Sequence, residues 1–252
     1  MASIQQAALQ LFVKRLAWRS VLTAEEKSAI LAVNGQLDKI RARKDFVQVG
    51  EQVDHACLVA SGLVGRFGQN RDGGRQITCL YVAGDMADLS SVVSPKAGWG
   101  LTALSAATVL RVPHDAIRRI AATHPDVAEA FWRDCVADGS MFSEWVLNVG
   151  RRDALSRLAH LFCEMGVRSE RAGLGTKHAF PLPITQSDLA DATGLTSVHV
   201  SRTLKQLRSK ADVSVRGGTV TVPDWAKLTA IGEFDEAFLL LDGPAPRLVQ
   251  PA

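Results

Sequence analysis

The sequence Ile184-Thr-Gln-Ser-Asp-Leu-Ala-Asp-Ala-Thr-Gly-Leu-Thr-Ser-Val-His-Val-Ser-Arg-Thr-Leu-Lys-Gln-Leu-Arg-Ser209 is typical of two short helices joined by a tight turn. Thr185 carries the hydroxyl that caps a helix N-terminus, and Asp188 follows in the first turn, which favours negative charge. Gly194 ends this helix because glycine tolerates the left-handed conformation of a sharp turn. Thr196 then caps the second helix. The stretch therefore predicts a helix-turn-helix.

The second helix of this pair has an apolar face and a polar face. Val200, Leu204 and Leu207 share the side that we expect to pack inward, whereas Arg202 and Lys205 lie on the other side. A helix of this width fits the major groove of B-DNA, where an arginine can bind guanine with two hydrogen bonds. The predicted DNA contacts are Thr185, Gln186, Thr196, Ser197, Val198, His199, Ser201, Arg202, Lys205 and Arg208.

The next residues add a wing. Val213-Ser-Val-Arg-Gly-Gly-Thr-Val-Thr-Val222 contains two alternating runs joined by Gly-Gly, which predicts a hairpin. Residues 151–222 also contain eleven Lys or Arg against six Asp or Glu, a net charge of +5, while the rest of the chain has a net charge of −2. This asymmetry favours a polyanion, and we expect double-stranded DNA as the partner. A winged helix that binds only protein is the alternative.

The region before the helix-turn-helix combines short strands with helices. Residues 1–33 have a helical pattern, residues 36–112 contain short strands separated by glycines, and residues 114–149 return to helix. An apolar stripe along the last helix predicts a homodimer interface, with packing on its own β-domain as the alternative. The predicted interface residues are Trp132, Cys135, Gly139, Phe142 and Val146.

This order of elements resembles the catabolite-activator/FNR family of bacterial regulators. The resemblance runs from about residue 25 to residue 235, and its most specific parts are Ile184–Ala190 and Thr196–Leu204. Tyr81-Val-Ala-Gly-Asp85 is similar to the glycine–aspartate turn of the family's β-roll. The block Gly150–Glu164 is similar to the hinge and the first helix of its DNA domain.

The resemblance implies an α+β fold with an N-terminal cyclic-nucleotide-binding-like β-roll, a long dimerisation helix and a C-terminal winged helix-turn-helix. We expect a sensor domain in residues 1–122, the dimerisation helix in 123–150, the DNA-binding domain in 151–235 and a tail in 236–252. It also implies a transcription regulator that contacts RNA polymerase and receives a signal at the β-roll.

The chain departs from the family's pattern where a ligand would bind. Ala87-Asp88-Leu89 stands in place of the family's Gly-Glu-Leu, and residues 96–100 lack the arginine that grips a cyclic phosphate. We therefore place a ligand pocket at Ala87, Asp88 and Leu89, leave the effector open, and do not expect cyclic AMP. Iron–sulfur members of the family bind their cluster through N-terminal cysteines. No cysteine precedes Cys57 in this chain, so we expect no iron–sulfur cluster. Val198 stands where the family usually has a glutamate.

Other functional classes find little support. The sequence contains no motif of a hydrolase nucleophile, a phosphate-binding loop or a zinc protease, so we expect no enzyme and no catalytic residue. His160, Cys163 and Glu164 have a metal-ligand spacing but lack a further ligand, so we expect no metal and no cofactor. A redox role for Cys163 stays open.

The chain also shows neither a signal peptide nor a long apolar segment, so we expect a cytoplasmic protein without membrane contact. A stand-alone ligand-binding sensor without specific DNA recognition is the alternative function.

Overall fold

The computed structural model describes residues 3–241 and 243–244. Its helices are α1 Ile4–Ala17, α2 Ala24–Leu31, α3 His114–Thr123, α4 Pro125–Arg151, α5 Ala154–Ala172, α6 Gln186–Thr193, α7 Ser197–Ala211 and α8 Trp225–Gly232. Its strands are β1 Gln36–Ile40, β2 Lys44–Val47, β3 His55–Ser61, β4 Val64–Gln69, β5 Arg75–Tyr81, β6 Gly100–Ala103, β7 Ala107–Pro113, β8 Ala179–Pro181, β9 Ser214–Arg216 and β10 Thr219–Thr221. The predicted α+β architecture is confirmed.

The described residues form two compact units. The first comprises residues 3–66 and 81–140 together with the described residues from 239 onward, and the second comprises residues 67–80 and 141–238. Residues 67–69 of β4 and residues 75–80 of β5 thus belong to the second unit, and α4 continues from the first unit into the second. Residue 242 and residues 245–252 of the predicted tail lie outside the described residues.

The strands between residues 36 and 113, which we call the β-domain, form two sheets, as the short strands separated by glycines predict. One sheet has the order β1-β7-β3, and the other has the order β2-β6-β4-β5. In the first sheet Gln36 lies opposite Arg111 and Ile40 lies opposite Ala107. The core behind this sheet includes Phe12 of α1 and Leu58 of β3, which are 2% and 0% exposed. Burial of such apolar area stabilises the domain and covers the inward face of α1.

The glycine–aspartate turn after β5 has a clear structural reason. Gly84 adopts φ +94°, and one Asp85 carboxylate oxygen accepts a hydrogen bond from the Val82 amide at 2.8 Å. The other Asp85 oxygen accepts a hydrogen bond from Arg15 Nη1 at 2.6 Å. Arg15 Nε also donates a hydrogen bond to Asp134 at 2.8 Å. A buried charge needs a partner of opposite sign, and the Arg15 cation is such a partner for the carboxylates of Asp85 and Asp134.

The second unit carries the winged helix. Its helices α5, α6, α7 and α8 accompany a small sheet of order β8-β10-β9. The α5 and α8 helices approach closely at Gly232, where a Cβ atom would lie 2.8 Å from the His160 backbone nitrogen. Asp153 caps α5 through the Ser156 amide, so the helix after α4 starts at a defined residue.

Candidate nucleic-acid interface

The first helix of the pair begins as predicted. The Thr185 hydroxyl accepts a hydrogen bond from the Asp188 amide at 3.2 Å. In return Asp188 Oδ2 accepts hydrogen bonds from the Thr185 amide at 3.0 Å and from its hydroxyl at 2.6 Å. This reciprocal box occupies the Thr185 side chain with capping, and it leaves the positive end of the α6 dipole beside exposed Gln186.

The turn and the second helix also follow their local signals. Gly194 takes the left-handed conformation with φ +63° and ψ +35°. The Thr196 hydroxyl then accepts a hydrogen bond from the His199 amide at 3.2 Å. Because both caps are local, the residues at which α6 and α7 begin are defined by short-range hydrogen bonds.

The α7 helix separates an inward face from an outward face. Val200, Thr203 and Leu207 are at most 1% exposed, and Thr203 also donates its hydroxyl to the His199 carbonyl at 2.9 Å. Leu204 is half-buried, although the sequence predicted it on the inward side. The predicted contacts that are exposed are Gln186, Thr196, Ser197, Val198, His199, Arg202, Lys205 and Arg208, while Thr185 and Ser201 are half-buried.

The wing lies directly after α7. Antiparallel β9 and β10 pair Ser214 with Thr221 and Arg216 with Thr219. Gly217 and Gly218 between them both have positive φ, as the predicted hairpin turn requires. Arg216 is exposed near the tip, so the wing presents a cation that suits a phosphate contact.

The predicted ligand pocket corresponds to a cavity of about 170 Å³ in the β-domain. Ala87 and Asp88 line it, and Arg66, Lys96 and Trp99 line it as well. Leu89 does not line the cavity, because its side chain is 7% exposed and packs in the core.

Asp88 in the cavity wall forms a hydrogen bond that holds β3. Its Oδ1 accepts a hydrogen bond from the Cys57 amide at 2.6 Å, and burial raises the pKa of its carboxyl to about 6. Arg66, which sequence reasoning missed, lies 3.8 Å from Asp138 of α4 and 6.0 Å from the Trp99 ring centroid. No sequence motif marks Arg66, since its role depends on where β4 runs.

The outward face of α4 carries an apolar stripe. Trp132, Val136 and Val146 are 66%, 61% and 54% exposed, and Gly139 between them is exposed as well. Cys135 and Phe142, which the sequence placed in the interface, are half-buried on the flank of this stripe. Val136, which the sequence also places in the apolar stripe, and Ser143 are exposed, and residues 132, 136, 139, 143 and 146 alternate by four and three residues.

The spacing of His160, Cys163 and Glu164 reflects packing. Glu164 Oε1 accepts from Arg168 at 2.7 Å, and its Oε2 accepts from the Trp145 indole at 2.7 Å. Burial raises the pKa of the Cys163 thiol well above its usual range, which disfavours the reactive thiolate. Among residues 3–241 and 243–244, no group of His, Cys, Asp or Glu is arranged to hold a metal ion, and no helix is long and apolar enough to span a membrane.

Two family models match the chain. Residues 156–231 match the Crp-like helix-turn-helix domain, and residues 38–124 match the cyclic nucleotide-binding domain. The chain is 24% identical over 200 residues to the fumarate and nitrate reduction regulatory protein of Vibrio cholerae, covering 77% of this chain and 80% of that protein. It is 28% identical over 175 residues to the nitrogen fixation regulation protein FixK of Azorhizobium caulinodans, covering 69% and 70%. The structure of FixK2 from Bradyrhizobium japonicum superposes with a TM-score of 0.71 at 24% identity, covering 78% of this chain and 96% of that one.

Proposed function

Because the chain belongs to the Crp/Fnr family of DNA-binding transcription regulators, we propose that it acts as a homodimer whose two α7 helices occupy the two halves of a near-palindromic operator. The predicted DNA-binding function is confirmed, and the stand-alone sensor is wrong because the Crp-like helix-turn-helix model covers residues 156–231. The family consists of regulators rather than enzymes, as expected.

The observation that carries this proposal is the chemistry of the outward face of α7. Arg202 is exposed near the N-terminal half of the helix, where a helix-turn-helix reaches base edges. Its planar guanidinium matches the O6 and N7 acceptors of guanine. Lys205 and Arg208 lie further along the helix and suit phosphate oxygens. Val198 offers a methyl contact and no hydrogen-bond acceptor, so the operator differs from that of relatives with glutamate there.

The homodimer is supported by the exposed stripe on α4. Trp132, Val136, Gly139, Ser143 and Val146 alternate by four and three residues, which is the seam of a two-stranded coiled coil. Crp/Fnr regulators typically act as dimers. Helix-turn-helix dimers bind two half-sites about 34 Å apart, one turn of B-DNA, and we expect the same spacing between the two α7 helices.

The cavity in the β-domain is our candidate for the effector site. At about 170 Å³ it is smaller than the roughly 300 Å³ at which ordinary ligand pockets begin. Its cations are Arg66 and Lys96, and residues 86–100 contain no arginine, so we propose a small effector other than cyclic AMP. A ligand that binds one conformation of the dimer more tightly shifts the population toward that conformation and so changes the relative orientation of the two α7 helices. RNA polymerase as partner and a cytoplasmic location complete the proposal.

The test is selection of duplexes from a randomised pool by the full-length protein, followed by gel shifts across salt concentrations. We expect enrichment of an inverted repeat with half-site centres about 10 base pairs apart. The selected duplex should bind at least about 1,000-fold more tightly than a scrambled one. Equal and weak binding to every duplex would contradict the proposal.

A further inference from the structure

The C-terminal end of α6 receives two hydrogen bonds from side chains that are distant in sequence. Gln76 Nε2 of β5 donates to the Ala192 carbonyl at 3.2 Å. Arg157 Nη1 of α5 donates to the Thr193 carbonyl at 2.6 Å. The last carbonyls of a helix have no partner within the helix, so these two donors satisfy groups that otherwise need water.

The same two side chains converge on the turn between α6 and α7. A Cβ atom added to Gly194 would lie 3.6 Å from Arg157 Nη1 and 3.7 Å from Gln76 Oε1. On the other side of the turn, the Gly194 and Leu195 amides both donate to the Ala190 carbonyl. Backbone hydrogen bonds therefore hold the turn from within, and Gln76 and Arg157 hold it from outside.

The strand that carries Gln76 is itself anchored to α5. Arg168 Nη2 donates to the Leu80 carbonyl at 2.7 Å, and its Nη1 donates to Glu164 at 2.7 Å. Glu164 is 0% exposed and Arg168 is 4% exposed, so this hydrogen-bonded ion pair is shielded from water. One end of β5 is thus attached to α5, and the Gln76 end is attached to α6.

We propose that Gln76 is a positioning residue for DNA recognition. By holding the end of α6, it sets the angle of the turn and therefore the direction in which α7 presents Arg202. The hydrogen bond coexists with an exposed outward face of α7, since Val198 remains 63% exposed, so this arrangement is compatible with DNA binding. The inference rests on the proposed function, because it assumes that α7 reads the operator.

The β4–β5 hairpin connects the Gln76 contact to the cavity of the β-domain. Gln76 follows the loop after β4, and β4 also carries Arg66, which lines the cavity of the β-domain. The β4–β5 hairpin thus carries both a residue of the cavity wall and a side chain that contacts α6, and the Arg75 cation of the same hairpin also acts on the Asp191 carboxylate of α6.

The test compares Gln76→Glu with Gln69→Glu in the full-length protein. The first change keeps the side-chain shape but removes the N–H donor and places a carboxylate beside the Ala192 carbonyl. The control adds the same charge to the same hairpin, where Gln69 Nε2 donates to the Gly73 carbonyl within the loop. The probes are the tightest duplex that wild type selects from a randomised pool and a scrambled version of it.

We expect Gln76→Glu to weaken binding to the selected duplex by about 5- to 20-fold relative to the control, in line with typical couplings between sites. Both variants should change binding to the scrambled duplex equally. Amide hydrogen exchange at Gly194 and Leu195 should accelerate only in Gln76→Glu. Gln76→Arg, which keeps an N–H donor, should restore affinity for the selected duplex to within about threefold.

Three results separate the possible failures. Equal affinities of the two glutamate variants for the selected duplex, or tighter binding by Gln76→Glu, would overturn the positioning role. Equal loss on the selected and scrambled duplexes would also overturn it, because it would show a purely electrostatic effect. If wild type selects no duplex at all, the proposed function itself fails.

Discussion

The outward faces of α7 and α4 are both exposed, but their chemistry is opposite. On α7 the exposed residues are mainly polar or cationic, including Arg202, Lys205 and Arg208. On α4 they are apolar or small, including Trp132 and Val136. Cations on a helix suit a polyanion, whereas a contiguous exposed apolar stripe marks an interaction surface. The difference supports our proposal that α7 faces DNA and that α4 faces a second copy of the chain.

The strongest way to break this comparison is to place a charge in the α4 stripe. In Val136→Asp two carboxylates would face each other across the proposed seam, and burial of unpaired charge is costly. We expect the dimer dissociation constant to rise by more than about 100-fold, since several kcal/mol are lost. Sedimentation equilibrium at micromolar concentration measures this.

A matched control exists outside the stripe. Val93 is 85% exposed and does not lie on α4, so Val93→Asp adds the same charge at a site without a proposed partner. The control should remain dimeric and bind DNA normally. An intact Val136→Asp dimer would show that another surface mediates self-association.

The next test addresses base recognition by α7. Arg202→Ala removes the proposed bidentate contact to guanine, which contributes about 1–3 kcal/mol of discrimination, or about 5- to 150-fold. Fluorescence anisotropy should show this loss on the selected duplex and a much smaller loss on the scrambled one. Equal losses on both duplexes would place Arg202 on phosphate instead.

A smaller effect distinguishes phosphate contacts on the same face. Lys205→Ala should weaken binding to the selected and scrambled duplexes by a similar factor, because a phosphate contact carries no sequence information. The slope of log affinity against log salt should fall in magnitude by about 1. A loss confined to the selected duplex would instead indicate that Lys205 contacts a base.

Sequence predicted the parts of the site whose signals are local. Thr185 with Asp188, Gly194 and Thr196 each act within four residues, so caps and turn were recognisable without the fold. The contact of Gln76 with Ala192 spans 116 residues, and no local pattern marks it. Only the folded chain brings the hairpin to the end of α6.

The α4 stripe shows a second limit. The sequence places Cys135, Val136 and Phe142 together in the stripe, whereas the structure exposes Val136 and half-buries the other two. Consecutive residues are about 100° apart around a helix. A small error in the assigned direction of the apolar face therefore places flanking residues in the seam and seam residues on the flank. That direction depends on which side the core covers, and Ala137 and Met141, at 0% and 1% exposed, mark that side.

The last prediction concerns an inward-facing group, whose loss should alter stability without altering either outward face. His160 of α5 is 1% exposed, its Nδ1 donates to the Gly232 carbonyl at 3.1 Å, and its ring lies 5.1 Å from that of Phe234. Burial, and then the nearby Arg152 cation, lower the pKa of His160 from 6.5 to about 4, although the carboxylate of Glu144 opposes this.

The unfolded chain therefore takes up a proton at His160 at higher pH than the folded chain does. The stabilisation from neutral His160 is complete above pH 6.5 and is lost as the pH falls toward 4, by about 3 kcal/mol. The raised pKa values of Asp88 and Asp138, both about 6, act in the opposite direction, so wild type alone would show a reduced slope. The difference in unfolding free energy between wild type and His160→Gln cancels these carboxyl contributions.

Urea denaturation at pH 7 and pH 4 measures that difference. We expect the advantage of wild type over His160→Gln to shrink by about 3 kcal/mol on acidification. At pH 7 the variant should remain a dimer and bind the selected duplex as wild type does, because His160 reaches neither the α7 face nor the α4 stripe. Loss of operator binding by a folded His160→Gln protein would show that the interior of α5 also controls the DNA-binding face, and the division between inward and outward roles would then be wrong.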